Sequence, residues 1–301
     1  MADVELSFFE TNAERADAFS ARFDCAGKSS LEELISWADA VDICLPTQLH
    51  HPVALQAIAS GRAVFVEKPV TRSLAEGREL IEAVQKSGVP AMVGQVVRYF
   101  PEFRVGSELV RNGGIGNPAI ARTRRGGTMP KGSDGWFADY SQSGGCLLDL
   151  AIHDFDWLRW TFGEVKHLVS KSVGISRGSG PDYALTTLTF QSGPIAHVET
   201  TWMDPGGFRT TFEVAGSEGL IEFDSRATPS LRTVTPDGTR LESNLNPTDD
   251  PYYRQLRDFV DSVQKNVSPP ISIQDGFMAL SISLAACESA RTGERVCPEH
   301  V

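Results

Sequence analysis

The sequence predicts an α/β unit followed by an α+β unit with an open, largely antiparallel sheet. Three observations carry this. Over residues 1–97 strand-like and helix-like runs alternate, as parallel βαβ units require. From residue 118 strand-like runs follow one another without helices, which implies antiparallel pairing through short turns. Two helix-like runs close the chain of 301 residues, a length that suits two domains, placed at 1–97 and 98–301.

The elements follow in order. Residues 4–9 read as a strand, and Asn12 caps a helix over 13–23 with Glu14 in its first turn. Ser30 caps a helix over 31–37, with Glu33 at the capping-box position. A short buried strand over 41–45 is stopped by Pro46, and a helix over 52–60 by Gly61. Residues 63–66 form the next strand, Ser73 caps a helix through 86 that Gly88 ends, and 90–97 is one more strand. A helix over 101–112 stops at Gly113-Gly114. Strands are expected at 119–125, 165–175, 184–191, 195–202, 209–215 and 219–223, with turn signals at 178–182, 191–194 and 205–207. Helices over 252–267 and 276–292 finish the chain, the second ended by Gly293.

A hydrophobic content of 41% with 22% charged residues is ordinary for a soluble globular protein. The net charge of −11 disfavours nucleic acid or an anionic membrane surface as main partner, although Arg122, Arg124 and Arg125 can build a local basic pocket. No signal-like N-terminus and no run near the ~18 apolar residues of a membrane span is seen, so a cytoplasmic location is expected. The five cysteines form no C-x-x-C pair and read as small buried hydrophobes in a reducing compartment. Metal binding is not expected, because Asp154 and Asp156 near His153 lack a coherent further ligand set.

Lys68 ends the run Val64-Phe65-Val66-Glu67-Lys68-Pro69, which puts an amine at the carboxyl end of a buried parallel strand, where open α/β sheets bind ligands. Asp149 and His153 follow Gly144-Gly145, and on a helix their spacing gives them one shared face. Oxidation of a secondary alcohol needs its proton removed as hydride leaves. An imidazole that titrates near neutrality suits the acceptor, an ammonium stabilises the developing alkoxide, and a carboxylate orients the imidazole or the substrate. The bland alternative is a surface Glu67–Lys68 pair and a solvated helix face; the three groups together favour catalysis. Trp136, in a glycine-rich loop, is a sugar-stacking candidate, whereas Trp157 and Trp160 read as core or interface. His50-His51 precede a helix with Pro52 in its first turn, and capping and cofactor contact are equally open. A cis bond is expected before Pro69.

A doubly wound dinucleotide domain normally opens with a strand, G-x-G-x-x-G and a helix, with an acidic residue about 20 residues on. Glu10 fits the acidic position, but no such loop precedes it. Gly178-Ser179-Gly180 is followed by Pro181 and a strand, and Gly113–Gly116 follows a helix. The chain is therefore expected to lack roughly 15–30 residues, the first strand and the phosphate-binding turn. A late start or shortened chain is favoured over a chain that has lost tight cofactor binding. Loss of a central strand leaves unpaired backbone groups on its neighbours.

Glu67-Lys68-Pro69 and Gly144-Gly145 with Asp149 and His153 resemble the Gfo/Idh/MocA family. So do Pro46-Thr47 with His50-His51-Pro52, Gly94-Gln95 with Arg98-Tyr99-Phe100-Pro101, and Trp136-Phe137 before the double glycine. The resemblance runs over about 4–296, and 149–156 is similar to inositol 2-dehydrogenase-like members. It implies a Rossmann domain, here N-terminally incomplete, then an α+β domain whose open sheet forms homodimers or homotetramers. It also implies NAD(P)-dependent oxidation of polyols, inositols or sugars. Lys68 and His153 would act at the reacting carbinol and Asp149 would bind its hydroxyl. Thr47, His50, Glu67 and Gln95 would lie along the nicotinamide and its ribose, with Leu45, Pro46 and Lys68 completing the cofactor set. Arg98, Arg124 and Trp136 join Asp149 and His153 as substrate-side candidates. Glu10 argues for NAD over NADP, since a carboxylate accepts from ribose hydroxyls and repels a 2′-phosphate. Two other classes stay open: a catalytically silent ligand-binding or scaffold paralogue, and NAD-dependent glycosidase chemistry.

Overall fold

The structure, a computed structural model, describes residues 1, 3–174, 183–242 and 250–301. Its first unit contains α1 (Ala13–Phe23), α2 (Leu31–Trp37), β1 (Ala40–Ile43), α3 (His50–Ala59), β2 (Ala63–Val66), α4 (Leu74–Ser87) and β3 (Ala91–Val93). The strands form a parallel sheet in the order β1-β2-β3, with Val41 opposite Val64 and Val64 opposite Ala91. Every residue of β2 is buried, because it is the middle strand and both of its faces are covered. Local chemistry sets the helix ends. Ser73 and Glu76 cap α4 reciprocally, and Gly88 closes it at φ 72°, a conformation glycine adopts without strain.

Three expectations for this unit are corrected. Residues 4–9 form no strand; Phe8 makes a single parallel bridge to Gly27, too little pairing to sustain a ladder. The segment is held instead by contacts of Phe8 with Phe19 and Phe19 with Phe23, at 4.7 and 4.5 Å between ring centres. Helix α3 begins at His50, after a 3-10 turn over Thr47–Leu49, so Pro52 sits inside its first turn. The predicted strand 90–97 stops at Val93, and the chain turns into a 3-10 helix over Val96–Tyr99. The outer edge of β1 has no strand partner among the described residues.

The second unit contains α5 (Pro101–Arg111), β4 (Pro118–Gly126), α6 (Tyr140–Ser143), α7 (Gly145–Asp149), α8 (Ile152–Phe162), β5 (Val165–Val173), β6 (Tyr183–Phe190), β7 (Ile195–Thr201), β8 (Arg209–Gly216), β9 (Leu220–Asp224), β10 (Leu231–Thr235) and β11 (Gly238–Glu242). Helices α9 (Pro251–Lys265) and α10 (Ile273–Thr292) follow. The sheet order is β11-β10-β9-β8-β4-β7-β6-β5, antiparallel except where β4 runs parallel to β7. Strands β10 and β11 were not anticipated, although Pro236-Asp237-Gly238 between two polar-apolar runs was the available hairpin signal. Ile175 and the 178–182 turn lie outside the described residues.

Period-two alternation gives the sheet two faces. In β6, Ala184, Thr186, Leu188 and Phe190 are buried and Leu185 is exposed. The inner face joins α5 and α8 in a core around Phe103, Trp157, Phe212 and Phe223. The outer face leaves Val169, Leu185 and Ile195 exposed. Helix α10 starts at Ile273, earlier than expected, because Ser272 and Asp275 form a capping box. It packs on α4 and β3 of the first unit and on β5 and α8 of the second, which explains its apolar residues on all sides. Phe259 of α9 and Phe277 of α10 belong to the core of the first unit.

The five cysteines are free, but only Cys146 is buried fully; Cys44 and Cys297 are exposed. Cys44 lies one residue beyond the end of β1, and Cys297 lies in the tail after α10, so neither is enclosed by a paired element.

Candidate active site

Lys68 lies two residues beyond β2, after Glu67, and its bond to Pro69 is cis, as expected. Its Nζ donates to Asp149 Oδ1 and to the Asp149 carbonyl, both at 2.8 Å. The two side chains are only 16% and 11% exposed, so this pair spans the two units in a largely dry cleft. Asp149 and His153 do not share one continuous helix, which corrects the sequence expectation. Asp149 ends α7 and His153 lies in the first turn of α8. The reason is tertiary: Lys68 donates to the carbonyl that the His153 N–H would use in a continuous helix, and that N–H points instead to the Leu150 carbonyl at 3.4 Å.

Asp149 is paired with Lys68 and makes no hydrogen bond to the His153 ring among the described residues, which leaves the substrate side of its two expected roles. The His153 Nδ1 is sealed from solvent and has no hydrogen-bond partner among the described residues. Burial, together with the charges of Lys68 and Arg125, holds its pKa well below the ordinary value, so the imidazole is neutral. Arg125 itself is buried and gives Nε to Asp154 Oδ2 at 2.7 Å and Nη2 to Asp154 Oδ1 at 3.3 Å.

Arg125 displaces Arg124 from the site. Along β4, Ala121, Thr123 and Arg125 are buried on the helix side. Arg124 points the other way and pairs with Glu199 at 3.0 Å and Asp204 at 2.9 Å. Arg98 is corrected as well. Its guanidinium forms a two-pronged pair with Asp156 at 2.7 and 2.6 Å and also meets Asp275, leaving it committed to a buried ion cluster. Trp136 lies in a 3-10 turn over Ser133–Ala138, stacked on Phe137 with ring centres 4.0 Å apart.

The remaining candidates line the carboxyl edge of the first sheet. Glu67 accepts the Lys68 backbone N–H at 3.1 Å, and burial pushes its pKa up. Gly94 faces it so closely that an added Cβ would stand 3.0 Å from the Glu67 carboxylate. Gln95 is 1% exposed, yet neither end of its amide has a partner among the described residues. Thr47 is buried in the 3-10 turn opened by Pro46. His50 neither caps α3 nor stands free. Its Nδ1 lies 2.8 Å from the Pro69 carbonyl and its Nε2 2.7 Å from the Leu45 carbonyl, bridging the loop at Leu45 to the turn beyond Lys68. Burial pushes the His50 pKa down, against these two carbonyls, which favour a doubly protonated ring. Glu10 stands apart on the first unit. Its carboxylate takes the Arg15 guanidinium and the Asn12 N–H at 2.8 Å, and Arg15 above all holds its pKa at about 2.

Residues 6–95 match the family model for the oxidoreductase family with an NAD-binding Rossmann fold, and residues 103–222 match the GFO/IDH/MocA C-terminal domain. The chain belongs to the Gfo/Idh/MocA oxidoreductase family. It is 31% identical over 277 residues to myo-inositol 2-dehydrogenase of Thermotoga maritima, covering 87% of this chain and 80% of that protein. It is 30% identical over 300 residues to 1,5-anhydro-D-fructose reductase of Ensifer adhaerens, covering 96% and 89%. A crystal structure of a probable dehydrogenase from Thermotoga maritima superposes with a TM-score of 0.84 at 27% identity, covering 98% of this chain and 92% of that one. The nicotinamide end of an NAD site of this family fits the residues present. The orphaned Gln95 amide offers a donor and an acceptor at the carboxyl edge of the sheet, beside Thr47 and Glu67. No strand-to-helix G-x-G-x-x-G turn occurs among the described residues.

Proposed function

We propose that this family member moves hydride between NAD and a hydroxyl-bearing carbon of a polyol, an inositol or a sugar, with Lys68, Asp149 and His153 around that carbon. The observation that supports this most is the Lys68–Asp149 pair beside a neutral imidazole with an unclaimed Nδ1. Bound NAD supplies the hydride acceptor. Neutral His153 takes the hydroxyl proton, and the Lys68 ammonium stabilises the negative charge that develops on that oxygen. Asp149 fixes Lys68 through Oδ1 and presents Oδ2 to a substrate hydroxyl. Thr47, Glu67, Lys68 and Gln95, with the Leu45–Pro46 loop held by His50, flank the nicotinamide and its ribose. The ionised Glu10 accepts from the adenosine ribose and favours NAD over NADP. Relatives named for inositol and anhydrofructose chemistry support a polyhydroxylated substrate. The outer face of the eight-stranded sheet, with Val169, Leu185 and Ile195 exposed on β5–β7 beside charged residues such as Arg122 and Glu213, suits a homodimer or homotetramer, and the chain is assigned to the cytoplasm.

The test is a panel of inositols, aldoses and sugar acids assayed for NADH formation, with NAD and NADP compared. Lys68→Ala and His153→Ala are each expected to lower turnover by about 10²–10⁴-fold while the chain still unfolds cooperatively. Full activity in the double variant would sink this assignment. NADH release from a free polyol also separates a net dehydrogenase from glycosidase chemistry, which returns the hydride within each turnover.

A further inference from the structure

A cavity of about 440 Å³ opens between α5, α8, α9 and the segment at Pro270-Ile271. Of the residues assigned above, only Arg98 lines it, and that side chain is already committed to Asp156 and Asp275. Its volume falls within the range of small-molecule sites. Its wall combines three aromatic side chains, Tyr99, Trp160 and Tyr253, with Arg104, Arg254 and Arg257 and with two acids, Glu108 and Asp258.

The basic groups are not equivalent. Arg257 is taken by Asp3 at 2.7 Å and by Asp261. Arg104 differs: it is part-exposed, but its Nε is sealed from water and has no hydrogen-bond partner among the described residues. A guanidinium whose Nε is sealed from water and unpaired, on the wall of an aromatic cavity, suits an anion that can accept from that N–H side-on. The flanking acids restrict which anion. Asp258 already accepts the Tyr99 hydroxyl at 2.9 Å and, with Glu108, repels a doubly charged group. One unpaired Nε takes one carboxylate oxygen, and the aromatic wall rewards a flat body.

We infer that this cavity is a second ligand site, separate from the nicotinamide cleft, for a planar aromatic monocarboxylate held by Arg104. The carboxylate pairs with the guanidinium and the ring packs among Tyr99, Trp160 and Tyr253. Because α5 and α8 also carry the core beneath Asp156, an occupant braces the helix that bears His153.

Calorimetric titration of the full chain with benzoate, 4-hydroxybenzoate and inorganic phosphate tests this, with tryptophan fluorescence as a parallel signal. The aromatic acids are expected to bind saturably at one site and phosphate at least about tenfold more weakly. Arg104→Met is expected to weaken benzoate at least about tenfold, and Tyr253→Ala, at a half-exposed position, to weaken it while leaving the melting temperature unchanged. Lys68→Met is expected to keep the wild-type benzoate affinity. Absence of saturable binding, phosphate binding as tight as benzoate, undiminished binding in a folded Arg104→Met, or loss of benzoate in Lys68→Met each overturns the inference; the last would place the anion in the catalytic cleft.

Discussion

The N-terminal edge of the first unit and the core of the second carry their helices in opposite ways. Helix α1 buries no residue and α2 only Ile35, whereas α8 and α10 are enclosed along most of their length. The first sheet has three strands of three or four residues; the second has eight, of five to nine. The contrast divides the proposed site. Lys68, Asp149 and His153 rest on fully packed elements, while Glu10 sits on the most lightly packed part of the chain. Positioning at the reacting carbon and grip on the adenosine ribose are therefore set by regions of different rigidity.

The largest expected effect falls in the second core. Trp157 is fully buried, edge-on to Phe103, and its indole N–H donates to the Phe103 carbonyl at 2.8 Å. Trp157→Ala is expected to cost about 3–5 kcal/mol in urea unfolding. Phe19→Ala in α1, at a residue 36% exposed, is expected to cost under about 1 kcal/mol. Equal losses would break the comparison.

Next comes Arg125→Met, which strands Asp154, a side chain only 1% exposed. Removing one partner of a buried pair costs about 3–5 kcal/mol. The same change removes one of the two charges that hold the His153 pKa down, so the ring titrates at higher pH, as NMR of its side chain would show.

A smaller effect is the pH dependence of stability. In the native state His153 holds fewer protons than the unfolded chain between its depressed value and the ordinary 6.5. Stability therefore declines as pH falls below about 6.5 and levels off once the folded group is itself protonated. A denaturation midpoint that rises on acidification through this window would contradict a neutral buried ring. The smallest expected change in stability is at Glu10→Gln, which should leave the unfolding midpoint in place while narrowing the preference for NAD over NADP in a binding assay.

Much of this was legible because the signals are local. Val64-Phe65-Val66 names a buried strand and so places Lys68 at its end; Ser73 with Glu76, and Gly88, mark the limits of α4. The features that stayed hidden depend on distant partners. Nothing near 4–9 reveals how little that segment pairs, because a strand exists only with its neighbour. The break between α7 and α8 is caused by a lysine far away in the chain. Arg125 was separable from Arg124 only through the inward and outward alternation of β4, once its register beside buried Thr123 is fixed. The residues that finish the first core, Phe259 and Phe277, come from the last helices.

The amine on the Asp149 carbonyl makes Lys68 a wedge in the helical ladder as well as a charge. Truncating it releases that carbonyl to the His153 N–H, so α7 and α8 can fuse and the imidazole rotates out of phase. An alanine at this position thus removes two things at once. Arginine, which keeps a donor on the carbonyl while widening the charge, would separate the loss of the ammonium from the loss of helix phase.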